Sequence, residues 1–72
     1  MKYNSVKEIG VGDVVVYEGR SHLVLVNYII GQTDKHGYTP KVNRTILVDN
    51  YGKKTVVNDY RKLDVLTKIN ED

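Results

Sequence analysis

The chain has no cysteine. That absence excludes disulfide scaffolds, cysteine-ligated zinc, iron–sulfur clusters and thiol nucleophiles together. Phenylalanine, tryptophan and alanine are missing as well, and leucine is confined to five positions, so little in the composition favours helix. No apolar run approaches the roughly 18–20 residues of a membrane-spanning helix. Met1-Lys2-Tyr3-Asn4-Ser5 leads into no apolar signal-peptide core. A cytoplasmic protein without membrane association is therefore expected. At 72 residues the chain forms one domain, and a domain of that size buries only about 60% of its unfolded surface.

What is present is β-branched and tyrosine-rich. Twelve Val, five Ile and six Tyr suit a pleated, half-buried surface better than a helix. The expected class is all-β. Ser5-Val6-Lys7-Glu8 has the form of a capping box, but Gly10 and Gly12 limit it to one helical turn. Strands are expected at 13–18, 21–30, 42–48, 53–57 and 63–66. Gly19-Arg20 meets the Gly-X requirement of a two-residue type II′ hairpin. A long loop occupies 31–41, Asp49-Asn50-Tyr51-Gly52 forms a turn, and a turn or single 3₁₀ turn over 58–61 precedes the last strand. The tail 67–72 is polar and expected to fray.

Five short strands in so short a chain suggest a small barrel, which removes the sheet edges. Val11-Gly12-Asp13-Val14-Val15-Val16-Tyr17-Glu18-Gly19 resembles the opening of SH3-like barrels of the KOW and Tudor kind. Tyr60-Arg61-Lys62-Leu63-Asp64-Val65-Leu66 resembles their closing turn and strand. Arg20-Ser21-His22-Leu23 stands where a KOW motif carries further glycines. The resemblance spans residues 10–66 and implies a five-stranded SH3-like barrel with one short N-terminal helical turn. An open antiparallel sheet completed by dimerisation is the alternative. The resemblance also implies that Val15, Tyr17, Val24 and Val26 point into the core.

A turn at Gly19-Arg20 sets Tyr17 opposite His22 and Val14 opposite Leu25. Val15, Tyr17, His22, Val24, Val26, Tyr28 and Ile30 then share one face. Val14, Val16, Glu18, Ser21, Leu23, Leu25, Asn27 and Ile29 share the other, which is too apolar for plain solvent. Either the long second strand bends and its ends bury on opposite sides, or Val14, Val16, Leu23 and Leu25 form an interaction surface.

Catalysis finds little support. Ser21 and His22 are adjacent on a strand, so their side chains diverge. Asp34 and His36 lack a third metal ligand nearby, and the six glycines show no phosphate-loop spacing. No catalytic residue, metal or cofactor is expected. His22 reads as a half-buried barrel residue.

Charge is the remaining lead. Residues 20–62 carry eight Lys or Arg against three Asp, net +5, while both flanks are net negative. Tyr28, Tyr38, Tyr51 and Tyr60 are interleaved with the cations, as base stacking requires. The expected nucleic-acid contacts are Lys53, Lys54, Arg61 and Lys62, with Arg20, Lys41 and Arg44 outside them and Tyr51 as the stacking residue. The expected function is a non-catalytic module that binds nucleic acid or a protein of the transcription or translation machinery. The alternative is a protein–protein adaptor, homodimer or small phage-type regulator of a host protein, acting through Val14, Val16, Leu23 and Leu25.

Overall fold

The structure, a computed structural model, describes residues 1–29, 36–37 and 43–69. A first 3₁₀ turn (Val6–Glu8) precedes β1 (Val14–Tyr17), β2 (Arg20–Ile29), β3 (Asn43–Val48) and β4 (Lys54–Val57). A second 3₁₀ turn (Tyr60–Lys62) leads into β5 (Asp64–Thr67). The chain is mostly β, and its five strands form one antiparallel sheet in the order β4-β3-β2-β1-β5. No helix among the described residues is long and apolar enough to cross a membrane. The expected start of a strand at Val42 and most of the loop at 31–41 lie outside the described residues.

The first hairpin turns one residue earlier than expected. Tyr17 pairs with Arg20, so the turn is Glu18-Gly19, with positive φ at both residues (51° and 78°). Two left-handed residues match the right-handed twist of the strands, as type I′ turns do, and Gly19 bears the second at no steric cost. The earlier turn moves every cross-strand partner by two positions. Val14 faces Leu23 and Val15 faces His22. A shift of two preserves the faces, so Val15 and Val24 are buried as expected.

Beyond Val24 the parity changes. Val24 pairs with Leu47 and Val26 with Ile46, which leaves Leu25 as a bulge residue without a partner in β3. Downstream, Asn27 turns to the interior, where its amide donates to the Val6 carbonyl at 3.0 Å. Tyr28, expected on the inner face, is exposed, and Val26 is only half-buried. The second strand therefore bends and presents opposite parities at its two ends.

The sheet does not close into a barrel among the described residues. β4 pairs only with β3, and β5 pairs with β1 on one side. The outer edge of β5 is taken by the N-terminus: Val65 N–H donates to the Met1 carbonyl at 2.6 Å, and Lys2 pairs with Asp64. That edge is thus unavailable to β4. Tyr3, Val6 and Ile9 join Val15, Val24, Leu47, Val57, Tyr60, Leu63 and Val65 in the core. Full burial of a Val or Leu contributes about 1.5–3 kcal/mol, and Val15, Leu47 and Leu63 are wholly inaccessible.

Two local expectations are corrected. The Ser5 hydroxyl makes no capping bond, because the turn is 3₁₀ and Glu8 reaches past Ser5 to accept from the Asn4 amide at 3.2 Å. The tail expected to fray over 67–72 is bonded as far as Ile69, and residues 70–72 lie outside the described residues. Thr67 ends β5, the Lys68 ammonium bonds to the Asp13 carboxylate at 3.2 Å, and the Ile69 amide donates to it at 3.0 Å. Gly12 (φ 97°) admits this packing, since a Cβ there would lie 2.9 Å from Ile69 Cδ1.

Candidate functional site

Both hairpin turns close at the same end of the sheet, because β2 lies between β1 and β3 and runs antiparallel to each. Between them opens a cleft of about 620 Å³ lined by Tyr17, Glu18, Arg20, His22, Asp49, Lys53, Lys54 and Thr55. Its floor follows from strand parity. Tyr17 lies two residues from buried Val15, His22 is opposite Val15, and Thr55 is opposite buried Leu47. The cleft is thus the mouth of the unclosed sheet, at the end of the core. A second hollow of about 300 Å³ adjoins it, lined by Arg20, Ser21, Asp49, Asn50 and Tyr51.

The β3–β4 turn is held firmly. Gly52 N–H donates to the Asp49 carbonyl at 3.2 Å, and Asp49 N–H to the Lys53 carbonyl at 3.0 Å. Asp49 Oδ1 accepts from the Tyr51 and Lys53 amides at 2.8 and 2.9 Å. These bonds, the Lys53 amide foremost, hold the Asp49 carboxyl below its ordinary range. Gly52 takes the left-handed conformation (φ 82°) that lets the chain reverse into β4. Tyr51 stands at the tip, 90% exposed.

Three cations, Arg20, Lys53 and Lys54, line the cleft together with two carboxylates, Glu18 and Asp49. Asp49 is engaged by its own turn, and the Glu18 carboxylate bonds the Tyr17 hydroxyl, raising its pKa. None of the three cations forms an ion pair with a described residue. His22 is buried, edge-on to Tyr17 with ring centroids 6.0 Å apart. Its Nδ1 lies 2.8 Å from the Arg20 carbonyl. A carbonyl only accepts, so Nδ1 carries a proton and donates it there.

The other expected contacts lie elsewhere. The Arg61 guanidinium donates through Nε and Nη2 to the Asp59 carboxylate, both at 2.9 Å, and the Arg61 amide donates at 3.0 Å. Arg61 so engaged lowers the Asp59 pKa to about 2. Lys62, in the same 3₁₀ turn, is exposed, and neither residue lines the cleft. Arg44 pairs with Tyr28 across β2 and β3, away from the two turns. Tyr60 is buried and offers no stacking face. Lys41, Tyr38 and Asp34 lie outside the described residues, and no group of three metal-ligating side chains gathers among those described.

Val14, Val16 and Leu23 share the outer face of the sheet. Val14 is directly opposite Leu23, and Leu23 is opposite Val48. Leu23 is 41% exposed, Val14 and Val16 are half-buried, and Leu25 is half-buried at the bulge.

The sequence reading overlooked Tyr17, His22 and Thr55 as site residues. Their inward parity marks them as core. Only their place at strand ends beside the turns turns core positions into the floor of a mouth. Comparison with protein-family models, curated proteins and solved structures finds no match.

Proposed function

We propose that the protein is a non-catalytic, SH3-like binding module that engages nucleic acid through the cleft between its two hairpin turns. One observation carries the reading: Arg20, Lys53 and Lys54, from separate turns, line a single concave mouth without ion-pair partners among the described residues. Cations not committed to an ion pair are those able to neutralise phosphates. The SH3-like assignment is supported by the five-stranded antiparallel order and the 3₁₀ turn before β5. A non-catalytic role is supported by Ser21 and His22, which diverge on successive positions of β2.

The test is fluorescence anisotropy of labelled oligonucleotides titrated with the protein at low salt, about 50 mM, where electrostatic binding is strongest. Binding that weakens as salt rises supports the reading, and absence of binding to any DNA or RNA overturns it. A second reading, protein contact through the outer face, is favoured by the direct apposition of Val14, Leu23 and Val48 across three strands.

A further inference from the structure

We infer that the ligand of this mouth is single-stranded nucleic acid, with one base stacked on Tyr51 and the adjoining phosphates held by Arg20, Lys53 and Lys54. The inference rests on the nucleic-acid reading above and narrows its ligand class. Three observations carry it.

The two hollows share Arg20 and Asp49, so the aromatic and the cationic surfaces are contiguous. Contiguity of that kind is what one nucleotide requires, a flat base joined to an anionic backbone. Tyr51 is almost wholly exposed, yet its backbone is fixed by the Asp49 carboxylate and the closed turn. The turn that carries the ring is already ordered, so stacking has to order only the side chain. Its ring can stack on a base only at an open π-face, and such faces are covered by neighbouring bases in a duplex.

The base edge also has partners at this end of the molecule. Asn50 and Ser21, beside Tyr51, supply neutral polar groups within reach of a base edge.

The test measures anisotropy with four probes at low salt: labelled oligo-dT and oligo-U, an abasic strand of the same length, and a hairpin duplex. Oligo-dT or oligo-U should bind more tightly than the duplex. The abasic strand should bind about 5- to 150-fold more weakly than oligo-dT, the range of one stacked base. Tyr51→Ala should cost the same factor on the strands with bases and nothing on the abasic strand. Because Tyr51 is at an exposed turn tip, that variant keeps the fold. Duplex binding as tight as single-strand binding, or equal affinity for the abasic strand, overturns the inference and leaves the nucleic-acid reading standing. Binding to none of the probes overturns both.

Discussion

The Tyr3 hydroxyl donates to the Asp13 carboxylate across 2.5 Å, in a site where Asp13 is wholly inaccessible. One carboxylate thereby ties three parts of the chain together. It accepts from Tyr3, from the Gly10 amide at 2.9 Å, and from Lys68 and the Ile69 amide. Burial pushes the Asp13 pKa up, but the bonds from Tyr3, Ile69, Gly10 and Lys68 together hold it below the ordinary value. Tyr3 moves the opposite way: burial, then the Asp13 bond, raise its pKa.

The two shifts bound the pH range of stability. A carboxyl depressed in the folded state contributes stability above its unfolded pKa of about 3.9, and that contribution is lost as pH falls through the folded value. A tyrosine raised in the folded state contributes below about 10 and is lost as pH climbs above it. Denaturant unfolding against pH should therefore show a plateau from about pH 4 to 10. Tyr3→Phe should lower it by about 1.5–3 kcal/mol, the worth of a hydrogen bond to a charged group. Asp13→Asn should flatten the acid limb. An unchanged acid limb in that variant would show that other carboxyls control acid unfolding.

Asp13 also marks the limit of what the sequence made legible. Strand positions followed from β-branched runs and turn residues, and alternation separated the two faces of β1, with the SH3-like resemblance implying which one is inner. The N-terminal strap did not, because Tyr3, Val6 and Ile9 follow no strand period and their burial depends on a distant edge at β5. The bulge at Leu25 was equally silent, since Leu-Val-Leu-Val satisfies either parity. For the site, the cation types were visible but their grouping was not. Lys53 and Lys54 join Arg20 only through the register of β1, β2 and β3, and Arg61 is engaged by an aspartate two residues before it.

That Asp59–Arg61 pair makes its own prediction. Asp59 caps the second 3₁₀ turn through the Arg61 amide and also binds the guanidinium. Asp59→Ala should cost about 0.5–2 kcal/mol, the loss of a cap. The pair is exposed, so the guanidinium adds little. Carboxyl titration followed by NMR should find Asp59 still ionised at pH 3, in line with its value of about 2. Titration at an ordinary carboxylate pKa would mean that the Arg61 contacts are not kept in solution.

Glu18 holds a left-handed conformation that costs an ordinary L-residue about 1–2 kcal/mol and asparagine much less. Glu18→Asn should raise stability by about 1 kcal/mol in chemical denaturation. It also removes a carboxylate from the cleft that Arg20, Lys53 and Lys54 line. On the nucleic-acid reading, affinity for oligo-dT should rise about twofold, since one exposed charge is worth roughly 0.5 kcal/mol. A fall in stability would show that the turn is not of the type I′ form.

The outer-face reading is tested by Leu23→Asp. Leu23 is partly exposed and its cross-strand neighbours are Val14 and Val48, so the substitution should cost about 1 kcal/mol through lost pairs and leave the fold intact. If the face joins two copies, sedimentation should find a concentration-dependent dimer in the native chain and a monomer in the variant. A native chain that stays monomeric at every concentration removes self-association from that reading.

The cations separate the two readings most sharply. Three phosphate contacts on a single strand predict a slope of about −2 in log affinity against log salt, at roughly −0.7 per contact. Affinity should then fall about 20-fold between 50 and 200 mM salt on the same relation. Lys53→Ala with Lys54→Ala should reduce the slope by about 1.4 without loss of stability, since both side chains are exposed. Arg61→Ala should leave the slope unchanged, because its guanidinium is committed to Asp59 and lies outside the cleft. A slope that responds to Arg61 and ignores Lys53 and Lys54 would move the interface to the second 3₁₀ turn. A slope near zero with retained affinity would point to a neutral contact, for which the Val14–Leu23–Val48 row is the surface at hand.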